Sequence, residues 1–303
     1  MFNDIGHVQQ VSQQMGANME YRQLEPGALQ SFASHQIFPD VSVGYDGANR
    51  RIEVMGDNAG YVFFILPTCE TTFWINGRTV SDGECALLTE GADLHAMDRT
   101  TPGKFLTVLV RIPLLSSALS AVSGDAMSLG SGLTLTARPK RHRIQRLKQL
   151  VLCTLDSSTD QVFIDQLVEN LVFEIAVTFA NDQATSNPHA HETRGNGLRT
   201  IRLAKDYIEA HLTAPMRITD VSTYAGVSLS KLERVFRREL MTSPAHYIRA
   251  HRLAAVRRTL TDEGVGGKQI TKSAVEYGFT HLGRFSAAYR DQFGHLPSEE
   301  KVR

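Results

Sequence analysis

The chain has 303 residues, which is enough for two domains of ordinary size. Apolar residues make up 42% of it and charged residues 21%, a composition typical of a folded globular protein and not of a disordered one. The sequence has no signal-like N-terminus and no run of about 18 apolar residues, so we expect a cytoplasmic protein without a membrane partner. The three cysteines form no CxxC or Cys/His spacing, which argues against a zinc site or a disulfide framework.

The formal net charge of zero conceals a difference between the two parts of the chain. Residues 195–303 hold 18 Lys and Arg against 11 Asp and Glu, a balance of +7. Residues 1–194 hold 14 against 21, a balance of −7. A basic module of about 110 residues suits a polyanionic partner, although charge alone also allows a chance imbalance between solvated faces.

Short β-rich runs occupy residues 40–112, among them "YVFFIL", "TTFWI" and "FLTVLVRI". Turn signals such as Asn76-Gly77 and Asp82-Gly83 separate these runs. Several short antiparallel strands at this spacing predict a sandwich or a small barrel.

Residues 139–156 and 160–180 then change to helical periodicity. The second of these helices is apolar over more than half of its circumference, which is more than packing against one neighbour requires. Deep burial and a helix–helix dimer contact both explain this, and the sequence leaves the two open. The residues taken as the candidate dimer contact are Leu167, Leu171 and Ile175.

Residues 181–197, "NDQATSNPHAHETRGNG", are polar and lack apolar periodicity, so they are predicted to form a linker. The linker separates a predicted domain 1–180 from a predicted domain 198–303. Beyond it the sequence predicts helices almost throughout, interrupted by a loop at 261–269.

Residues 218–244 and 270–297 form a weak internal repeat with an offset of 52 that becomes 53 after one inserted residue. Each unit has a short helix opened by a threonine (Thr219 or Thr271), a glycine turn (Gly226 or Gly278) and a longer helix. We expect the threonines to cap the short helices and the glycines to end them in the left-handed conformation. The longer helices carry matching four-residue apolar stripes, namely Leu232, Phe236 and Leu240 in the first and Phe285, Tyr289 and Phe293 in the second.

Two such units have the size and order of helix-turn-helix motifs. The helix predicted between them, about 17 residues long, spans roughly 25 Å. With the widths of the units added, the second helices of the two motifs are predicted to lie about one turn of B-DNA apart, ~34 Å, and to enter successive major grooves.

Residues 198–298 resemble the AraC/XylS family of bacterial transcription regulators. The segments that carry the resemblance are "KLERVFRREL", "SPAHYIRAHRLAAVRRTL" and "AVEYGFTHLGRFSAAYRDQFGHLPS", and the "HLGRF" form is similar to the XylS-like branch. The N-terminal part resembles the family's sensor domain more loosely. The resemblance implies an α+β chain with an N-terminal cupin-like β-barrel and two helices, followed by an all-α domain with two helix-turn-helix motifs.

The resemblance places the recognition helices at 229–240 and 281–293. An arginine on such a helix can pair with guanine and a glutamate with cytosine, whereas small residues read little by hydrogen bonding, so the second helix is expected to discriminate less. The implied base contacts are Ser230, Lys231, Glu233, Arg234, Leu282, Gly283, Arg284, Ser286 and Ala287. The implied phosphate contacts are Arg237, Arg238, His281 and Arg290. For any single arginine, a merely solvated helix face is the alternative.

An effector pocket is expected inside the barrel, with Phe64, Phe73, Trp74 and His95 as candidate lining residues. His35 and His95 stand alone in their stretches, so neither a metal site nor a cofactor is predicted, and the protein is not expected to be an enzyme.

Together these features predict a cytoplasmic, homodimeric, DNA-binding transcription regulator, most simply an activator. Its expected partners are double-stranded promoter DNA, RNA polymerase and a small-molecule effector. Two alternatives remain open: an N-terminal domain that binds a partner protein, and a barrel enzyme with a DNA-binding appendage.

Overall fold

The computed structural model describes residues 18–57, 60–68, 72–75, 78–89, 94–97, 103–125, 134–156, 160–181 and 190–300, with 13–14 and 129. The chain divides into two compact units. The first comprises Met1–Tyr21, Gln30–Asn49 and Glu53–Ser186, and the second comprises Arg22–Leu29, Arg50–Ile52 and Asn187–Arg303. The second unit therefore contains two short segments from the N-terminal part of the sequence, which we call the strap (residues 22–29 and 50–52).

The strands lie in two sheets. They are β1 (Asn18–Gln23), β2 (Ser31–Ile37), β3 (Val41–Ala48), β4 (Ile52–Asp57), β5 (Tyr61–Thr68), β6 (Thr72–Ile75), β7 (Arg78–Val80), β8 (Cys85–Leu88), β9 (Leu94–Met97), β10 (Gly103–Arg111) and β11 (Thr134–Ala137). A five-stranded sheet has the order β1-β4-β9-β6-β7, and a six-stranded sheet has the order β11-β8-β5-β10-β3-β2.

The prediction of several short antiparallel strands is confirmed, but the predicted closed, cupin-like barrel is not what the described residues form. Closure requires the two edge strands of a sheet to pair with each other. Here β11 and β2 end one sheet and β1 and β7 end the other. Strand order depends on pairings between distant segments, which local patterns do not encode.

The core of the first unit lies on one face of the six-stranded sheet, covered by helices α1 (Ile112–Ser123), α2 (Arg141–Asp156) and α3 (Gln161–Asn181). Alternate residues of β5 and β10, such as Phe64 and Val108, point to this face because side chains alternate along a strand. Phe64 meets Phe179 of α3 edge to face at 6.2 Å. Each large apolar side chain buried in this way stabilises the fold by about 1.5–3 kcal/mol.

The second unit is helical apart from the strap. Its helices are α4 (Ala190–Ala210), α5 (Ile218–Tyr224), α6 (Leu229–Glu239), α7 (Pro244–Glu263), α8 (Gly267–Glu276) and α9 (Leu282–Phe293), followed by a 3-10 turn at Pro297–Glu299. Helix α4 begins inside the segment that was predicted as a linker. The loop predicted at 261–269 is shorter, because α7 continues to Glu263 and ends at Gly264, which has a φ of 104°.

Two helix-turn-helix units share helix α7. Gly226 (φ 67°) and Gly278 (φ 84°) end α5 and α8 in the left-handed region, as predicted from the repeat. The predicted threonine caps are wrong. The N-cap of α5 is Arg217, two residues before Thr219, and Asp220 Oδ2 accepts from its backbone N–H at 2.8 Å; α8 begins after Gly266.

Each helix-turn-helix unit has its own apolar core, and α7 supplies residues to both. Tyr247 and Ile248 of α7 pack with Phe236 in the first core, whereas Leu253, Val256 and Leu260 pack with Phe285 in the second. The predicted stripes on α6 and α9 are buried, which confirms the helical period on which they were based. Helix α7, with 20 residues, spans roughly 30 Å.

Candidate nucleic-acid interface

Helix α6 has one buried apolar face and one exposed polar face. Leu232, Val235 and Phe236 are buried in the first core. Ser228 caps the helix by accepting a hydrogen bond at Oγ from the backbone N–H of Lys231 at 3.3 Å. The sequence-predicted contacts of this helix are exposed, apart from half-buried Lys231; they are Ser230, Lys231, Glu233, Arg234, Arg237 and Arg238.

The arginines of α6 differ in how far they are engaged within the protein. Arg238 forms an ion pair with Glu239, and its guanidinium lies against Gly197, where an added Cβ would collide with Nη2. Among the described residues, Arg234 and Arg237 form no ion pair. Of these three arginines, Arg234 and Arg237 therefore have the guanidinium groups most available to a nucleic acid.

Helix α9 presents the second predicted set. His281, Leu282, Gly283, Arg284, Ala287 and Arg290 are exposed and Ser286 is half-buried. A Cβ added at Gly283 would meet no atom within 4 Å, so the first turn of α9 leaves open space there. The exposed side chains of α9 are smaller than those of α6 and carry fewer hydrogen-bonding groups.

Helix α9 is fixed from behind by a buried polar contact. The Tyr289 hydroxyl donates to Glu300 Oε2 at 2.6 Å, and Arg257 of α7 donates to the same carboxylate at 3.1 and 3.3 Å. Burial, together with the nearby charge of Glu300, raises the pKa of Tyr289, so the phenol remains the donor. Arg257 also lies 5.0 Å over the ring of Phe293.

Sequence reasoning missed two features of this surface. Leu229 and Leu282 occupy the first position of α6 and α9 and are 40% and 41% exposed, yet only Leu282 was predicted as a contact. The repeat offset of 53 is the signal that relates them. The second feature is Arg252, which donates from Nη2 to the carbonyl of Ala214 at 2.7 Å and packs against Gly278, where an added Cβ would meet Nη1 at 2.8 Å.

Of the residues predicted for an effector pocket, Phe64 and Phe73 have described side chains, and both are buried. Phe64 lies in the helix-covered core, while Phe73 is buried edge to face with Phe105 at 4.8 Å. Trp74 and His95 are paired across β6 and β9, but their side chains lie outside the described residues. Within the described residues, no group of three or more His, Cys, Asp or Glu side chains could hold a metal ion.

His35, which stands alone in the sequence, has a carboxylate partner in the fold. Its Nε2 lies 2.7 Å from Asp46 Oδ1, and Thr107 Oγ1 donates to Asp46 Oδ2 at 2.9 Å. Burial by itself lowers the pKa of His35, but the charge of Asp46 and its hydrogen bond outweigh this and raise it above 6.5. By the strand register, His35 and Thr107 flank Gly44 on the sheet face opposite the helices.

The candidate dimer residues differ from one another in burial. Leu171 and Ile175 are fully buried in the core of the first unit, whereas Leu167 is half-buried. The exposed apolar side chains of α3 are instead Val162, Phe163 and Phe173, at 67%, 54% and 51% exposure. No helix in the described part of the chain is both long enough and apolar enough to cross a membrane.

Comparisons with known proteins match the helical second part of the chain. A family profile described as a helix-turn-helix domain matches residues 221–301, which include both α6 and α9. The "Probable thc operon regulatory protein" of Rhodococcus erythropolis is 35% identical over 100 residues, covering 33% of this chain and 30% of its own. A solved structure of "a probable AraC family transcriptional regulator" from Rhodopseudomonas palustris is 32% identical, with a TM-score of 0.31, and covers 33% of this chain and 93% of its own.

The chain belongs to the AraC/XylS family. The "XylDLEGF operon transcriptional activator 3" of Pseudomonas putida, 28% identical over 164 residues, covers 52% of this AraC/XylS-family chain. The chain spans 48% of that activator's length and 30% of the Rhodococcus protein's length. The family resemblance given by residues 198–298 is thereby confirmed.

Proposed function

We propose that this AraC/XylS-family protein is a transcription regulator, most simply an activator, that reads promoter DNA through α6 and α9. The observation that carries the proposal is the exposed polar face of α6. Arg234 projects without an ion pair among the described residues, and a guanidinium can donate two hydrogen bonds to the O6 and N7 atoms of guanine. Glu233 beside it can accept from the N4 amine of cytosine.

The two helix-turn-helix units are proposed to bind successive major grooves. Helix α7 spans roughly 30 Å, close to the ~34 Å between successive turns of the duplex. Arg237 and Arg290 are proposed to contact phosphates at the margins of the grooves, which adds affinity without sequence information. Because α9 offers mainly Gly283, Ser286 and Ala287, it is proposed to read shape and thymine methyl groups.

The test is selection of binding sites from a random DNA library by the full-length protein, followed by footprinting on the selected site. We expect two half-sites about one turn apart, with the more specific half-site lost in Arg234→Ala. Arg202→Ala, which removes an exposed arginine from α4, is the matched control and should leave the footprint unchanged. Recovery of no enriched sequence by the wild-type protein would refute the proposal.

The first unit is proposed to bind a small-molecule effector that changes how the protein holds DNA and contacts RNA polymerase. The support is the buried His35–Asp46–Thr107 group on the sheet face opposite the helices. A buried pair of ionisable groups is costly because both lose their hydration, and such pairs are often found at binding sites. Titration calorimetry against a panel of small metabolites tests this, with His35→Asn expected to abolish the heat of binding that the wild type gives.

A second candidate role for the first unit is a protein contact, favoured by the exposed apolar face of α3. Val162, Phe163 and Phe173 are each exposed along α3, and a second copy of the chain would cover them in a homodimer. Light scattering of the wild type and of Phe163→Ser with Phe173→Ser distinguishes the outcomes. A dimer that becomes a monomer supports the homodimer, whereas a wild-type monomer that copurifies with another protein favours a different partner.

A further inference from the structure

The strap connects the two recognition helices by a route that does not pass through α7. Its two segments are joined to each other: the backbone N–H of Leu24 donates to the carbonyl of Arg51 at 2.9 Å, and Arg51 Nη2 donates to Glu25 Oε1 at 2.9 Å. Leu24 is buried in the first helical core. Although these residues are distant in sequence from the helix-turn-helix units, they fold as part of the same compact unit.

One end of this connection is the C-terminus of α6. Arg51 Nη1 donates to the carbonyl oxygen of Leu240, the residue that caps α6, at 2.6 Å. The last carbonyls of a helix lack partners within the helix and carry the negative end of its dipole. A buried guanidinium satisfies both requirements, so Arg51 holds α6 at its end.

The other end is the last turn of α9. The side chain of Gln23 donates from Nε2 to the carbonyl of Gln292 at 2.7 Å, and Gln292 returns a bond from its own Nε2 to the carbonyl of Gln23 at 2.9 Å. The backbone N–H of Gly27 donates to the carbonyl of Asp291 at 2.7 Å. Three hydrogen bonds, two of them buried and reciprocal, therefore hold α9 against the strap.

A buried charged group anchors the strap to α4 and α7. Arg22 forms a bidentate pair with Glu209 of α4, with 3.0 Å between Nη2 and Oε2. His251 Nδ1 of α7 lies 2.7 Å from both Glu209 Oε1 and Arg22 Nη1. His251 Nδ1 cannot accept from Arg22 and donate to Glu209 at the same time. If Nδ1 donates to Glu209, Arg22 still has the same carboxylate as its partner. The tautomer with the proton on Nδ1 is therefore the consistent one.

The two helix-turn-helix cores are separate clusters, linked by α7 and by the half-buried Tyr277, which packs against both. A helix that links two bodies can bend. A further connection between the same two bodies restricts that bending. We propose that the strap is a positioning element that fixes the separation of α6 and α9 and thereby sets the half-site spacing that the protein accepts. This rests on the proposed DNA-binding function.

The test measures the affinity of the full-length protein for the selected site, for the same site with one or two base pairs inserted between the half-sites, and for a single half-site. We expect the wild type to lose affinity on insertion by on the order of ten- to a hundred-fold, comparable to one mismatched base pair. Gln23→Ala and Arg51→Ala should reduce that loss to below about three-fold while leaving single half-site affinity unchanged. Arg51→Lys, which keeps the charge, should restore part of the preference, and Gln36→Ala in β2 is the control.

Each outcome decides the proposal. An unchanged spacing preference in both strap variants overturns it, and an equal loss of affinity for every DNA, single half-site included, shows that the strap is merely structural. A wild type that selects no DNA refutes the proposed function instead. Nitroxide labels at Ser230→Cys and Ala287→Cys, with the three native cysteines replaced, give a readout without DNA: the distance distribution should broaden in Arg51→Ala, and an unaltered distribution also overturns the proposal.

Discussion

Tyr289 and Glu300 are joined by a buried hydrogen bond of 2.6 Å that links helix α9 to the residue after the 3-10 turn Pro297–Glu299. Arg257 of α7 binds the same carboxylate, so one acid holds groups from two helices. The exposed face of α9 can present small residues to DNA because its buried face is fixed in this way.

Tyr289→Phe should lower the free energy of unfolding by about 1.5–3 kcal/mol, the usual range for a hydrogen bond to a charged group. The ring remains and the cavity is small, so the loss reports the hydrogen bond and the partly unsatisfied Glu300. Urea denaturation measures the change. Tyr224→Phe, at a ring that is 54% exposed, is the control and should change stability by less than about 0.5 kcal/mol. Equal effects in the two variants would contradict the role assigned to Tyr289.

Glu209 should make the stability of the protein depend on pH in the acid range. Burial by itself raises the pKa of Glu209, but hydrogen bonds from His251 and Arg22 and the charge of Arg22 outweigh this and lower it from 4.5 to about 2. A carboxyl whose pKa is lower in the folded protein stabilises it above pH 4.5 and loses that contribution as the pH falls towards 2. Denaturant titrations between these pH values should therefore show a steeper decline for the wild type than for Glu209→Gln. Asp206→Asn, an exposed acid on the same helix, should keep the wild-type slope.

Arg234→Ala should weaken binding to the selected site by about 1–3 kcal/mol and relax the preference at one base pair. Arg237→Ala should instead weaken binding to all sequences alike and reduce the slope of log affinity against log salt concentration by about one. Fluorescence anisotropy at several salt concentrations, with matched and mismatched DNA, separates the two behaviours. If both variants change only the salt slope, Arg234 is a phosphate contact.

Gly283→Ala should stabilise the protein yet weaken DNA binding. No atom lies within 4 Å of an added Cβ, and alanine is favoured over glycine inside a helix by about 0.5–1 kcal/mol. If the first turn of α9 approaches DNA, the new methyl group occupies space that the duplex needs. Thermal melting and operator affinity measure the two effects. Gly267→Ala, also with open space around it but at the start of α8, should leave affinity unchanged.

The parts of the fold that follow from local pattern could be predicted from the sequence. Phe285, Tyr289 and Phe293 repeat every four residues, and one helix face is the only regular structure that brings them together. The glycine turns at Gly226 and Gly278 were also predictable, because few residues other than glycine adopt a positive φ. The exposed polar face of α6 then follows, because it consists of the residues that do not belong to the buried stripe.

The strap could not be predicted, because its contacts have no period. Gln23 and Gln292 are both ordinary polar residues in sequence, and their pairing depends on where two distant backbones meet. The same holds for His35, whose partner Asp46 lies across a strand register that single residues do not specify. The threonine caps were wrong for two reasons: at α5 Asp220 accepts from the backbone N–H of Arg217, and α8 begins after Gly266, before Thr271 is reached.

Helix α7 also determines which length changes the protein can tolerate. Helix α7 supplies Ile248 to one core and Leu253 to the other. One residue inserted between them would therefore rotate the second helix-turn-helix unit by about 100° and advance it by ~1.5 Å. The segment Gly264–Gly266 follows α7, so extra residues there would lengthen the turn before α8 and leave α7 unchanged between the two cores, at the cost of displacing Val265 from the second core. Natural variation in length should therefore accumulate after Glu263 and be absent between the two cores.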